Sequence, residues 1–141
     1  MLVIDDDESV RRNIASFLAD SGFSVTEAAS GEDGISEYSS HHPDLVLCDL
    51  RLPDLDGLDV MQRIVHSDNE TPVIVISGLG EINDVVQALR LGASDYLTKP
   101  IKDLEVLEHS VRRSLQQAKL LRDNARYSAE LEDSNSQLRR S

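Results

Sequence analysis

Short apolar runs alternate with stretches in which apolar residues return every three or four positions. The runs Leu2–Ile4, Ser24–Ala28, Leu45–Cys48, Val73–Ile76 and Asp95–Thr98 predict five strands. Between them, Val10, Ile14, Phe17 and Leu18 share one helix face, and Gly22 supplies a helix stop. A shorter helix is expected over about residues 32–40, turning Ile35 and Tyr38 inward and ending before Pro43. Leu58, Met61, Ile64 and Val65 repeat the helical spacing, as do Ile82, Val85, Val86 and Leu89, with Gly92 closing the latter helix. Strands that alternate with helices make a parallel sheet covered on both faces, and the unbroken run Val73-Ile74-Val75-Ile76 suits its centre. Right-handed crossovers leave few arrangements. The expectation is an α/β, doubly wound, five-stranded parallel sheet in the order 2-1-3-4-5.

Beyond Pro100 the pattern changes. Asp103 is the expected cap of a fifth helix, and no Gly or Pro follows through Ser141. Leu107, Val111, Ser114, Ala118 and Leu121 form one 4-3-4-3 track; Leu120, Asn124, Tyr127, Leu131, Ser134 and Leu138 form a second, like a stutter between heptads. Packing of a domain accounts for the first track to about Ala118. The expected division is therefore a domain over 1–118 and a helical extension over 119–141. The extension is either a coiled-coil dimer seam with Asn124 at a polar core position, or a linker. The pattern stops midway, as in a piece of a longer protein.

Composition narrows the function classes. An apolar fraction of 40% with only 4% aromatic residues suits an aliphatic core. The single cysteine, Cys48, allows no internal disulfide and sits in an apolar strand as a small hydrophobe. No run is long enough to span a bilayer, so a cytoplasmic protein without a membrane partner is expected. The net charge of −12 is uneven: residues 1–60 hold 14 acidic against 3 basic residues, whereas residues 101–141 hold 7 against 8. An acidic front half opposes phosphate-backbone binding, so no direct nucleic-acid contact is expected.

Strand one empties into Asp5-Asp6-Asp7-Glu8. Such a cluster is either a helix cap or a set of hard oxygen ligands awaiting a cation such as magnesium. The flavodoxin-like strand order resolves the choice, because it makes strands one and three neighbours at the switch point where ligands bind. Asp5 and Asp6 end strand one, and Asp49 ends strand three. Asp7 and Glu8 remain for the first turn of helix one. Strand four ends in Ser77-Gly78 and strand five in Lys99-Pro100, which adds a hydroxyl and a cation at the same edge of the sheet. His41, His42, His66 and His109 show no metal-ligand spacing and read as surface or packing residues.

These pieces resemble the receiver domain of bacterial two-component response regulators, the CheY-like superfamily. The likeness lies in Val3-Ile4-Asp5-Asp6, in the stretch Pro43 to Asp49, in Leu52-Pro53-Asp54-Leu55-Asp56-Gly57, in Pro72 to Gly78 and in Gly92 to Pro100, in order over about residues 1–118. The resemblance implies that Asp49 accepts a phosphoryl group from a histidine kinase or phosphotransfer protein. It implies Mg2+ (or Mn2+) held by Asp5, Asp6, Asp49 and the backbone carbonyl of Arg51. Ser77 and Lys99 would bind the phosphoryl group, and a cis peptide before Pro100 would aim Lys99. Ser77 and Tyr96 would be switch residues biasing the surface of helix four, strand five and helix five, and Arg51 and Leu79 would tune self-dephosphorylation. Such a protein is a phosphoacceptor switch that assists its own phosphorylation and dephosphorylation rather than a turnover enzyme. Two other readings are a magnesium-dependent phosphohydrolase and a vestigial interaction scaffold. The first usually carries a carboxylate two residues after its nucleophile, where this chain has Arg51; the complete site set counts against the second. The stretches Ser77-Gly78, Asp95 to Pro100 and Leu107 to Arg113 resemble RssB-type regulators. That likeness implies a sigma-factor pathway partner and an absent phosphatase-like output domain; a homodimer through the C-terminal helix is expected from the heptad-like tracks alone.

Overall fold

The computed structural model describes residues 1–67, 70–78 and 80–138; for residue 122 and residues 124–138 it describes the backbone. Strands and helices alternate as β1 (Leu2–Ile4), α1 (Glu8–Asp20), β2 (Thr26–Ala28), α2 (Gly31–His41), β3 (Val46–Asp49), α3 (Gly57–Ser67), β4 (Val73–Ser77), α4 (Ile82–Leu91), β5 (Asp95–Thr98) and α5 (Leu104–Leu138). All pairings are parallel in the order β2-β1-β3-β4-β5, the doubly wound order expected from the alternation.

Side chains that alternate along each strand feed two separate cores. Leu2, Ile4, Val46, Cys48, Val73 and Val75 pack against Tyr38, Met61, Ile64, Val85 and Ala88 from α2, α3 and α4. Val3, Leu47, Ile74, Ile76 and Leu97 face the other way, against Ile14 and Leu18 of α1 and Leu107 and Val111 of α5. Both faces are covered, so β1 and most of β3 and β4 must be apolar, which is why these runs stand out in the sequence. At about 25 cal/mol per Å² of apolar surface, each such side chain contributes roughly 1.5–3 kcal/mol on burial.

Local chemistry sets the helix ends. Asp7 is the N-cap of α1 and accepts from the Val10 N–H at 3.2 Å, so it stands one residue before the first turn in which it was expected, while Glu8 opens the helix. After α1, Gly22 takes φ +100°; its N–H reaches the Ala19 carbonyl and that of Phe23 reaches Leu18, a paired closure that needs the left-handed region. Strand β2 is shorter than its apolar run, because pairing with β1 begins at Thr26 opposite Leu2. Asp103 accepts from the Glu105 N–H at 2.9 Å at the start of α5.

Two helices depart from a simple inward-facing stripe. On α4 only Val85 of the four spaced apolar residues is buried; Ile82, Val86 and Leu89 face solvent, and Ala88 takes the second inward position. On α5, Leu107, Val111, Ser114 and Ala118 are buried, but Leu121 is 70% exposed, so packing on the domain ends near Ala118 although the helix continues to Leu138. Among the described residues, no helix is long and apolar enough to cross a membrane.

Candidate functional site

The carboxyl ends of β1, β3, β4 and β5 bring Asp5, Asp49, Ser77 and Lys99 to one edge of the sheet. Asp49 is the last residue of β3 and pairs in register with Ile76, one residue before Ser77 at the end of β4. The Lys99 ammonium donates to Asp49 Oδ2 at 2.9 Å and lies 3.0 Å from Asp5 Oδ2, a charge contact outside hydrogen-bond geometry. Asp49 Oδ1 accepts from the Arg51 N–H at 3.1 Å, and Asp5 Oδ1 from the Asp7 N–H at 2.9 Å. Asp6 is exposed, yet one oxygen from each of Asp5, Asp6 and Asp49 lies within 4.8 Å of the others. The Lys99–Pro100 peptide is cis.

Three carboxylates face one ammonium group. Asp5 is fully buried and Asp49 nearly so. Burial pushes the Asp49 carboxyl above its ordinary value; bonds from Lys99 and the Arg51 N–H pull it back, and the charge of Asp5 adds to the rise. Burial alone would lower the Lys99 ammonium, but its bond to Asp49 and the Asp5 carboxylate beside it outweigh that and raise it. The donor set is therefore all hard oxygen and short of positive charge, the chemistry that a divalent cation of the magnesium type completes. Ser77 adds a fully buried hydroxyl with no hydrogen-bond partner among the described residues. Buried polar groups are nearly always paired, so an unpaired one at a site edge is an open donor. Burial also pushes the Cys48 thiol up, which leaves it an inert core residue.

Other site residues were less legible. Tyr96 is 41% exposed on β5. The Arg51 side chain turns away from Asp49 to pair with Glu81 and Asp84 of the α4 start, each at 3.1 Å. Leu79 lies outside the described residues. Sequence reasoning assigned no role to Asp54, whose two oxygens accept from the Gly31 and Glu32 N–H groups at 2.8 and 2.9 Å and so tie the loop after β3 to the start of α2. Those bonds hold its carboxyl below the ordinary range, that from Glu32 foremost. Gly57 was also missed: a Cβ there would run into the Asp49 carbonyl and come within 2.5 Å of the Leu50 Cα, so only glycine lets α3 begin so close to the end of β3. Arg11 donates to the Asp5 backbone carbonyl at 3.0 Å while pairing with Glu27. The Asp-Leu-Asp-Gly stretch was a visible signal for the first two; nothing local marked Arg11.

Comparison with known proteins agrees with this geometry. Residues 1–112 match the family described as response regulator receiver domain. A probable transcriptional regulator ycf27 of Porphyridium aerugineum is 39% identical over 120 residues, covering 84% of this chain and 50% of the relative. The transcriptional regulatory protein DltR of Streptococcus agalactiae is 39% identical over 124 residues, covering 88% and 55%. The crystal structure of a response regulator receiver domain protein from Clostridium thermocellum superposes with a TM-score of 0.80 at 30% identity, covering 85% of this chain and 96% of that one. The chain thus spans about half the length of the curated relatives it matches. Those relatives are named as transcriptional regulators, which leaves the RssB-type likeness, its phosphatase-like output domain and its sigma-factor partner without support. The names of those relatives likewise run against extending the expectation of no direct nucleic-acid contact beyond this chain. An acidic surface speaks only for the domain that carries it.

Proposed function

Because the chain belongs to the response regulator receiver domain family, the phosphoacceptor switch of two-component signalling, we propose that Asp49 is its phosphoacceptor. The observation that carries this reading is Lys99, whose ammonium bonds Asp49 and touches Asp5 at the edge where a third carboxylate stands within 4.8 Å. An Asp49 carboxylate oxygen attacks the phosphorus of a phosphohistidine on a histidine kinase or phosphotransfer protein. The P–N bond breaks, its electron pair stays on the imidazole, and an acyl phosphate forms. Asp6, Asp49 and the Arg51 carbonyl, with Asp5 beside them, would hold a magnesium or manganese ion, which would supply charge neutralisation for the phosphoryl oxygens. Lys99 would exchange its bond to Asp49 for one to a phosphoryl oxygen, and the Ser77 hydroxyl, which has no partner among the described residues, would donate to another. The arriving group brings a charge of about −2 and three acceptors. Drawing Ser77 inward makes room for Tyr96 to turn in and alters the surface of α4, β5 and α5. The product is a held state rather than repeated turnover, although the same residues assist phosphorylation and dephosphorylation.

The receiver unit is read as residues 1–118, with 119–141 as a helical connection that either pairs with a second copy or links to an output domain. Relatives about twice as long, named as transcriptional regulators, favour an output that acts on transcription, and a cytoplasmic location follows from that role. Incubation with magnesium and a small phosphodonor, followed by intact mass, tests the reading. One phosphoryl addition in the wild type and none in Asp49→Asn is expected; addition that persists in Asp49→Asn sinks it.

A further inference from the structure

Glu81 stands at the N-cap of α4, and its side chain makes no capping bond to its own helix. Its oxygens are used elsewhere: Oε2 accepts from the Gly78 N–H at 2.8 Å, and Oε1 from Arg51 Nε at 3.1 Å. The same guanidinium reaches Asp84 in the first turn of α4, also at 3.1 Å. Three segments thus meet through one carboxylate: the residue after Ser77, the residue two beyond Asp49, and the start of α4. The Glu81 side chain is only 13% exposed, while that of Arg51 is 69% exposed. The anchor is held in place, and its cation stands where solvent and charge compete for it.

Arg51 also touches the site by its backbone, donating to Asp49 Oδ1. A phosphoryl group on Asp49 would bring about two negative charges near a guanidinium that Glu81 and Asp84 now share. Movement of Ser77 towards that group would shift the Gly78 N–H from the other Glu81 oxygen. Both attachments of Glu81 therefore lie one or two residues from the groups expected to move.

We propose that Glu81 is a positioning residue that latches the loops after β3 and β4 to α4 in the resting form, through Arg51 and Gly78. The proposal rests on Asp49 being the phosphoacceptor. A contact made only in the resting arrangement lowers the population of the alternative, so its loss favours the phosphorylation-competent state. Glu81→Ala removes both attachments. Glu81→Gln removes the charge shared with Arg51 while its amide oxygen still accepts from Gly78.

The full chain, as wild type and both variants, is incubated with magnesium and acetyl phosphate and followed by intact mass. Amide hydrogen exchange is read on each unphosphorylated protein. Glu81→Ala should take up phosphate about two- to tenfold faster, the range expected from one or two partly exposed charge contacts, with Glu81→Gln in between. Exchange should quicken at Val85, whose N–H bonds the Glu81 carbonyl. A wild type that phosphorylates with both variants no faster overturns the latch alone, even if exchange changes. A wild type that takes no phosphoryl group overturns the phosphoacceptor reading and the latch with it.

Discussion

The ends of β1 and β3 and the turn between β4 and α4 lie side by side, yet they are held by opposite means. At the first, Asp5 and Asp49 are buried and share one ammonium, so each charge depends on a partner within 3.0 Å. At the second, a largely exposed guanidinium divides itself between the mostly covered Glu81 and the half-buried Asp84, so solvent reaches both pairs from the Arg51 side. Removing a partner from a buried ion pair is costly because the remaining charge stays uncompensated. Removing one from an exposed pair costs little. The difference lies in what a break costs: the first region is tied by buried charges, the second by contacts of a largely exposed cation.

The largest break in that contrast is Lys99→Ala, which leaves two buried carboxylates with no protein cation. Unfolding in urea at about pH 8 without divalent ions should show a loss of about 3 kcal/mol. The loss should shrink in acid, because Asp49 already has a raised pKa and takes up a proton readily. Added magnesium should recover part of it at the higher pH; no recovery would argue against a cation site here.

A smaller effect is expected at Asp54, an exposed carboxylate that nonetheless joins two segments. Its folded-state pKa lies below the ordinary value, so the unfolded chain takes up the proton first as pH falls. Its contribution is present at neutral pH and drains as pH drops through the lowered value. Melting temperatures across that range should fall less steeply in Asp54→Ala than in the wild type; parallel curves would show that the clamp on α2 contributes nothing. The smallest effect on the site is expected from removing residues 122–141, which lie beyond the buried track of α5. Phosphorylation should be unchanged, while a wild-type dimer mass that falls to monomer would establish the helical seam; equal monomeric masses would exclude it.

The fold was largely legible because a sheet covered on both faces demands apolar runs, and Leu2–Ile4 matches its strand residue for residue. Asp95–Thr98 also matches its strand, although as an edge strand it buries only Leu97. Asp5, Asp6, Asp49, Ser77 and Lys99 were legible for a related reason: polar residues directly after such runs must lie at one edge of the sheet. The outward turn of Ile82, Val86 and Leu89 was not, since helical spacing marks an apolar face without saying whether anything covers it.

Sequence alone determined the alternation of strand and helix through periodicity. The handedness of crossovers narrowed the strand order to a few arrangements, of which the doubly wound one puts Asp5, Asp6 and Asp49 at one edge. Only the tertiary structure decided that Lys99 bridges Asp49 and Asp5, that Asp54 clamps α2, and that Arg51 reaches α4 through Glu81 and Asp84. Those contacts join residues 22 to 94 positions apart, where loop placement rather than local pattern sets the distance.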